Sequence, residues 1–275
     1  MKGKTNAIIA IVILSLVAVS LTICFSRMLK GDIKFDMFKL NSKVEKIDSI
    51  EKELDEVEKI SLDILSTDVE IKEGNKVSVE YYSNQEENAS IEYNNKTISI
   101  SENSSNSRCV GICNVRRKII ITLSKDYKGE LLIEAKSGDI ESLMDLENAR
   151  IYTMSGDVDL KNVKNADIKT MSGDVEVETS DTITVNTMSG DVDVEGVTNK
   201  LAIKTSSGDI SVYKLDIQKS SSINTSSGDV VVHNNNSNCY IDTNTSSGDV
   251  RVKKSDRKSD IELSIETSSG DIRVN

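Results

Sequence analysis

The sequence predicts an all-β protein, a single-chain β-solenoid of parallel β-helix type, with rungs of 17–22 residues. Three observations predict it. The triplet Ser-Gly-Asp recurs at Ser137, Ser155, Ser172, Ser189, Ser207, Ser227, Ser247 and Ser269, in steps of 18, 17, 17, 18, 20, 20 and 22 residues. Aliphatic residues flank each triplet two apart, the period at which strand side chains share a face. The 275 residues include no Pro and no Trp, and the three Phe (Phe25, Phe35, Phe38) all precede residue 40, so a later core must be built from Val, Ile and Leu. Fixed self-similarity near ~20 residues marks stacked units, each too thin to bury its own apolar face alone.

Taken in order, residues 1–6 carry Lys2 and Lys4 and read as a cytoplasmic tail. Residues 7–25 contain no charge, and at ~1.5 Å per residue a helix of that length nearly crosses a ~30 Å hydrocarbon core. No small-x-small cleavage site follows this run. "LTIC", ending at Cys24, departs from a lipoprotein box at Ile23. The expectation is an uncleaved, single-pass transmembrane anchor with the repeats outside the membrane; cleavage and lipidation are the alternatives.

Residues 26–57 read as a juxtamembrane linker and a short amphipathic helix. Leu40, Val44, Ile47, Ile50, Leu54 and Val57 follow steps of four and three, and Ser42 with Glu45 can form a capping box. Such a helix would either cover the end of the solenoid or pair two chains as a stalk. Residues 58–136 read as an irregular first part of the solenoid. Leu62, Ile64, Ser66, Asp68, Val69 and Ile71 fit the repeat frame with Thr67 in place of Gly, and Val77/Val79/Tyr81, Ile98/Ile100 and Ile119/Ile121/Leu123 alternate. A loop over 101–118 holds Cys109 and Cys113, which can bridge if the domain is extracytoplasmic or else remain two free thiols. Cys24 and Cys239 stand apart, and Cys109 and Cys113, with no further Cys or His nearby to complete a tetrahedral site, do not suggest zinc.

Residues 137–275 form the regular part. Before the triplet come Ile151/Thr153, Ile168/Thr170, Val185/Thr187, Ile203/Thr205, Ile223/Thr225, Thr243/Thr245 and Ile265/Thr267; after it come pairs such as Val158/Leu160 and Val175/Val177. Each rung therefore has two short strands with a corner at the triplet. Gly138, Gly156, Gly173, Gly190, Gly208, Gly228, Gly248 and Gly270 are expected to supply φ > 0 there. The serines are expected to point inward beside the threonines. Longer rungs absorb their extra residues in polar loops at 233–238 and 253–260. The last rung, ending at Asn275, shows no cap in the sequence.

The aspartates should form one column. Charges ~4.8 Å apart repel by ~1 kcal/mol in water and by several times that at a partly buried surface, so something must offset them. One answer is an Asx-type hydrogen bond from each corner's own backbone. The other is a row of cations, Ca2+ being the candidate, held by Asp157, Asp174, Asp191, Asp209, Asp229 and Asp249.

An N-terminal anchor, the opening "ISLDILSTDVEI" and the tandem T-x-S-G-D-[VI]-x-V units resemble the DUF4097 family, bacterial envelope proteins labelled adhesins. The resemblance covers residues 58–275. It implies a β-solenoid and an envelope location, and it carries over no catalytic residues, because the shared motif is itself the structural corner.

With 34 basic against 45 acidic residues, the formal charge of −11 disfavours nucleic acid as a partner. An enzyme acting on wall polysaccharide would need positioned carboxylates beside aromatics, yet the repeats offer only Tyr152, Tyr213 and Tyr240, in different rungs. A Ser-His-Asp triad would depend on His233, in a polar loop. The expectation is a non-enzymatic, membrane-anchored surface binding or scaffold module, in adhesion or an envelope-stress response. Its partners would be the membrane, a cell-wall component or surface protein, and a second copy through the helix or the C-terminal rung. The alternative is a polymer-forming scaffold of bactofilin type.

Overall fold

Alternation of aliphatic and polar residues makes strands, and the computed structural model stacks them into two arms per rung. It describes residues 43–84, 89–102, 115–233 and 238–275. All but Lys43 and Val115 belong to one unit, Val44–Asn103 with Arg116–Asn275. The sequence expectations for residues 1–6, for the anchor at 7–25, and for Cys24, Cys109 and Cys113 fall outside the described residues. Among the described residues, no helix is long and apolar enough to cross a membrane.

The amphipathic helix expected before residue 57 is not formed in the described part. Glu45–Lys52 is instead a strand, β1, followed by a single 3-10 turn at Leu54–Glu56. Strand β1 runs antiparallel to β4 (Val77–Ser83), with a bulge between Lys46 and Asp48. The bulge inserts Ile47 as an extra residue and shifts the pleat by one. Ile47 and Ile50, three apart, therefore both pack against the core, and a bulged strand imitates the spacing of a helix.

Between β1 and β4 the chain lays down its first rung, β2 (Lys59–Ser66) and β3 (Asp68–Glu73). After β4 come β5 (Ala89–Asn94), β6 (Thr97–Glu102) and β7 (Arg117–Leu123). Strand β2 pairs in parallel with β6 on one side and β8 (Glu130–Ser137) on the other. Strand β3 is likewise held between β7 and β9 (Ile140–Ser155). The first rung in sequence is thus the second in space. Antiparallel β4, β1 and β5 continue the stack beyond it.

The regular rungs then follow in order through β10 (Val158–Ser172), β11 (Val175–Asn186), β12 (Val192–Lys204), β13 (Ile210–Leu215), β14 (Ser221–Ser227) and β15 (Val230–Val232). Ile151, Ile168, Val185, Ile203 and Ile223 are successive partners in one buried column. Val158, Val175, Val192, Ile210 and Val230 form the facing column. This narrow aliphatic interior runs the length of the stack, the geometry that lets short strands bury apolar area at ~25 cal/mol per Å2.

The end of the chain corrects the expectation of a bare C-terminal rung. After β15 the chain makes β16 (Tyr240–Ser247) and β17 (Val250–Val252), then β18 (Glu262–Ser269) and β19 (Ile272–Val274). Strand β18 pairs with β14 on one side and β16 on the other, and β19 lies between β15 and β17. The last rung in sequence is inserted beneath the one made before it. Rung 240–252 is therefore outermost, and there the aliphatic column ends in Thr243, and Val250 is 43% exposed while its partner Ile272 is fully buried.

Loop 253–260 does not simply bulge away. Ser255 Oγ accepts the Ile241 N–H at 2.9 Å, and the Asp256 N–H donates to the Cys239 carbonyl at 2.9 Å. The loop thus occupies edge groups of the outermost rung that would otherwise be free to recruit another strand. The rung order makes a direct prediction. Under mild oxidation, the pair Asn224→Cys with Glu266→Cys should cross-link, as should Asn244→Cys with Glu266→Cys, whereas Asn224→Cys with Asn244→Cys should not; mass spectrometry of the digests reads the outcome.

Candidate functional site

The triplet corner is the most repeated constellation in the molecule, and its chemistry is that of a ladder. The eight glycines have φ between +116° and +155° and stand directly over one another. A Cβ on Gly173 would lie 2.2 Å from the Gly156 carbonyl oxygen, so both the turn and the close approach exclude a side chain. At the base of the column Thr67 takes the glycine position, and a different device closes that corner. Buried Glu102 accepts the Leu65 N–H at 2.7 Å, the Ser66 N–H at 3.2 Å, the Thr67 hydroxyl, and the Tyr81 hydroxyl at 3.3 Å. Burial and this carboxylate push the Tyr81 phenol up to about 12.

The aspartates do not bond to their own corners. Each Asp Oδ1 accepts the backbone N–H of the aspartate in the next rung. The series runs Asp68 to Asp139 at 3.2 Å, then Asp157 at 3.0 Å, Asp174 at 2.9 Å and Asp191 at 2.8 Å. It continues to Asp209 at 2.8 Å, Asp229 at 2.7 Å, Asp271 at 2.8 Å and finally Asp249 at 2.9 Å. The order repeats the insertion of the last rung. A hydrogen bond to a charged acceptor contributes about 1.5–3 kcal/mol, against ~1 kcal/mol of screened repulsion per neighbour, so the ladder is net attractive through the backbone. Among the described residues, no group of three or more His, Cys, Asp or Glu is arranged to hold a metal.

The serines of the triplets face solvent rather than the interior, because the chain leaves the pleat one residue before glycine; Ser155, Ser172, Ser189 and Ser207 are all exposed. The threonines do point inward. Thr153, Thr170, Thr187 and Thr205 donate to the carbonyls of their own Ser155, Ser172, Ser189 and Ser207 at 3.1–3.2 Å. Thr225, Thr267 and Thr245 instead donate to the neighbouring rungs' Gly208, Gly228 and Gly270. Buried hydroxyls are thereby satisfied at every corner.

Two open faces flank the corner. On the arm before it, Asn148, Arg150, Asn165, Asp167, Thr182 and Thr184 line a concavity of about 750 Å3. An Asn148–Asn165 hydrogen bond at 3.0 Å crosses its floor from rung to rung. Nearer the corner, Tyr152, Met154, Lys169 and Met171 line a more apolar concavity of about 410 Å3, with the Lys169 ammonium 4.8 Å from the Tyr152 ring. On the arm after the corner, Glu141, Asp159, Glu176 and Asp193 occupy successive outward positions. Partial burial, then the charges of Asp159, Asp193, Glu195 and Glu178, raise the Glu176 carboxyl above its ordinary range. His233 stacks on Tyr213, ring centroids 4.6 Å apart and planes within 4°, which gives the histidine a surface packing role. Cys239 is buried.

A solenoid of stacked Ser-Gly-Asp corners, entered through a degenerate Thr67 rung, matches the model of one family, Toastrack DUF4097, over residues 57–275. The chain belongs to the DUF4097 family. Its fold is also that of crystal structures named "putative adhesin" from Parabacteroides distasonis ATCC 8503 and from Bacteroides fragilis NCTC 9343. The first is 15% identical with a TM-score of 0.52, and the second 16% identical with a TM-score of 0.50. Each alignment covers 85% of this chain and 98% of the other. At these identities the likeness concerns the DUF4097 fold. No curated protein matches the chain.

Three substitutions at two positions test the electrostatics of this DUF4097 domain. Asp174→Ala deprives the Asp191 N–H of its acceptor and should cost about 1–2 kcal/mol in urea unfolding, while Asp174→Asn, which keeps an oxygen, should cost less than half as much. Glu176 has the opposite sign. A raised carboxyl pKa in the folded state means that ionisation opposes folding, so its contribution worsens as pH rises from the ordinary carboxylate range through the raised value. Glu176→Gln should therefore raise Tm at pH 7, and the gain should shrink on acidification and vanish below pH ~3, where both states hold the proton; a loss of Tm at pH 7 would contradict this.

Proposed function

We propose that the chain is a single-pass, membrane-anchored DUF4097 solenoid whose repeat domain lies outside the membrane and serves as a non-catalytic binding or scaffold module of the cell surface. The observation that carries the reading is a backbone-locked wall presenting long open faces. Its larger concavities are shallow and lined by Asn, Thr, Asp, Arg and Lys from successive rungs, a layout suited to an extended partner lying across several rungs. Repetition supports the same reading, since a catalytic site is a break in a pattern and these faces continue it. The charge-free run at 7–25, preceded by Lys2 and Lys4, supports the anchor. The names of the two related structures described above, both "putative adhesin", fit a surface role for those proteins and lend it to this one.

The polymer reading is less favoured by the ends of the stack. Antiparallel β1, β4 and β5 close one end, and loop 253–260 with Ser255 occupies edge groups at the other, so head-to-tail growth lacks two complementary parallel edges. The test combines topology with binding. Protease added to intact cells should remove a tag placed after Asn275 while sparing a tag before Met1. The purified full-length chain should be depleted from solution by isolated envelope fractions without releasing soluble glycan fragments. A C-terminal tag protected until lysis would overturn the topology, and released fragments would overturn the non-catalytic reading.

A further inference from the structure

One exposed column stands out from the pattern that generates it. The position just before the triplet serine faces solvent in every regular rung. In the later rungs it is Ser206, Ser226, Ser246 and Ser268, but in three consecutive earlier rungs it is Met154, Met171 and Met188. These methionines are 52%, 46% and 56% exposed. Their strands are in direct parallel register. Thr153 and Ser155 pair with Thr170 and Ser172 on either side of Met154 and Met171, Ser172 pairs with Ser189, and the Ser189 N–H donates to the Met171 carbonyl at 3.1 Å. Three thioethers are thus stacked on adjacent rungs ~4.8 Å apart. Each ends a flexible side chain that can lean toward its neighbours.

An apolar docking strip would explain exposed bulk, but the observations favour sulfur chemistry. Three side chains offer far less area than the ~1,200 Å2 of a stable protein interface. All three positions carry the same residue, with no Leu, Ile, Val or Phe among them, and what methionine has that leucine lacks is the thioether. The neighbouring charge is mixed, since Lys136 and Lys169 line the same concavity as Met154 and Met171 together with Asp63 and Glu134, so selectivity there rests on sulfur rather than on net charge. Each methionine lies three residues before an aspartate of the ladder (Asp157, Asp174, Asp191), whose Oδ1 atoms face backbone N–H groups along the corner.

We propose that Met154, Met171 and Met188 form a thioether site for one soft monovalent cation, of the Cu(I) or Ag(I) class. Thioethers select such ions over the hard divalent cations that prefer oxygen ligands. Binding is simple coordination by three sulfur lone pairs, with no proton or electron transferred. Carboxylates of the corner contribute only their long-range field, so Ca2+ and Mg2+ do not compete.

The probe is Ag(I), titrated as silver nitrate in chloride-free buffer into the full-length chain labelled at methionine methyls with 13C. The methyl signals of Met154, Met171 and Met188 should shift together with one shared midpoint, saturating at one ion per chain beyond those taken by thiols. Buried Met144 should not move. Each single Met→Leu change, which keeps apolar bulk and removes sulfur, should weaken the site at least tenfold, and the triple change should abolish it. Met→Ser should act like Met→Leu, and the serines at this position in later rungs show that the fold accepts it. Competition with a Cu(I) chelator should rank the variants in the same order. Three methyls titrating independently, or a triple Met→Leu chain binding Ag(I) outside its cysteines as tightly as the original, would overturn the proposal; the second result would leave an apolar strip. Because the methyl signals are read in the unaltered chain, the test does not depend on a variant folding.

Discussion

The structure rests on a hydrogen bond that a single rung cannot make. Each corner aspartate accepts the N–H of the aspartate above it, so the carboxylate column that looks self-repelling on paper is the strut that joins rung to rung. Glycine makes this possible, because the backbones at the corner approach too closely for any Cβ. The two residues form one device: glycine brings the corners together, and aspartate fastens them. The aliphatic columns then supply most of the stabilisation, but it is the corner that holds them in register, since a slip of one residue would turn every valine outward.

The same device explains how both ends of the stack tolerate a change of order. Parallel rungs with identical corners are interchangeable neighbours, so the chain can leave a rung position open and fill it later. It does so at the C-terminal end, where rung 262–274 is made last and sits inside 240–252. At the other end rung 59–73 is made first, and 97–123 is laid outside it before the stack continues on its opposite face. A terminus held between two rungs is harder to fray than one at an edge. The outermost rung is correspondingly tuned for water, with Thr243 where the inner rungs carry Ile or Val and a polar loop bonded to its edge. Among the described residues, the two features together close this end of the solenoid without a capping helix.

Most of the fold was legible in the sequence because period-two alternation and a repeated glycine each have one cheap structural solution. Rung order was not, because any two rungs pair equally well in local terms; the one local sign was Thr243, an interruption in the aliphatic column that marks solvent exposure. Strand β1 carries a helix-like pattern because its bulge reproduces a step of three. Strict alternation predicts inward serines, but they face solvent because the pleat has already ended at the corner. The aspartate column was legible, but its partner was not, since the acceptor geometry depends on the neighbouring rung rather than on the aspartate's own turn. The methionine column was equally visible in "TMSGDV", and its exposure became meaningful only once the register placed three thioethers side by side.

The most direct test of the ladder is a pH titration of backbone amides by NMR in 15N-labelled protein. The Asp191 amide proton should follow the titration of the Asp174 carboxyl, moving upfield as that group is protonated, and in Asp174→Ala this pH-dependent shift should disappear while the Asp191 carboxyl still titrates. If the Asp191 amide instead follows its own carboxyl, and is unchanged by Asp174→Ala, the corners are closed one by one and the strut between rungs does not exist.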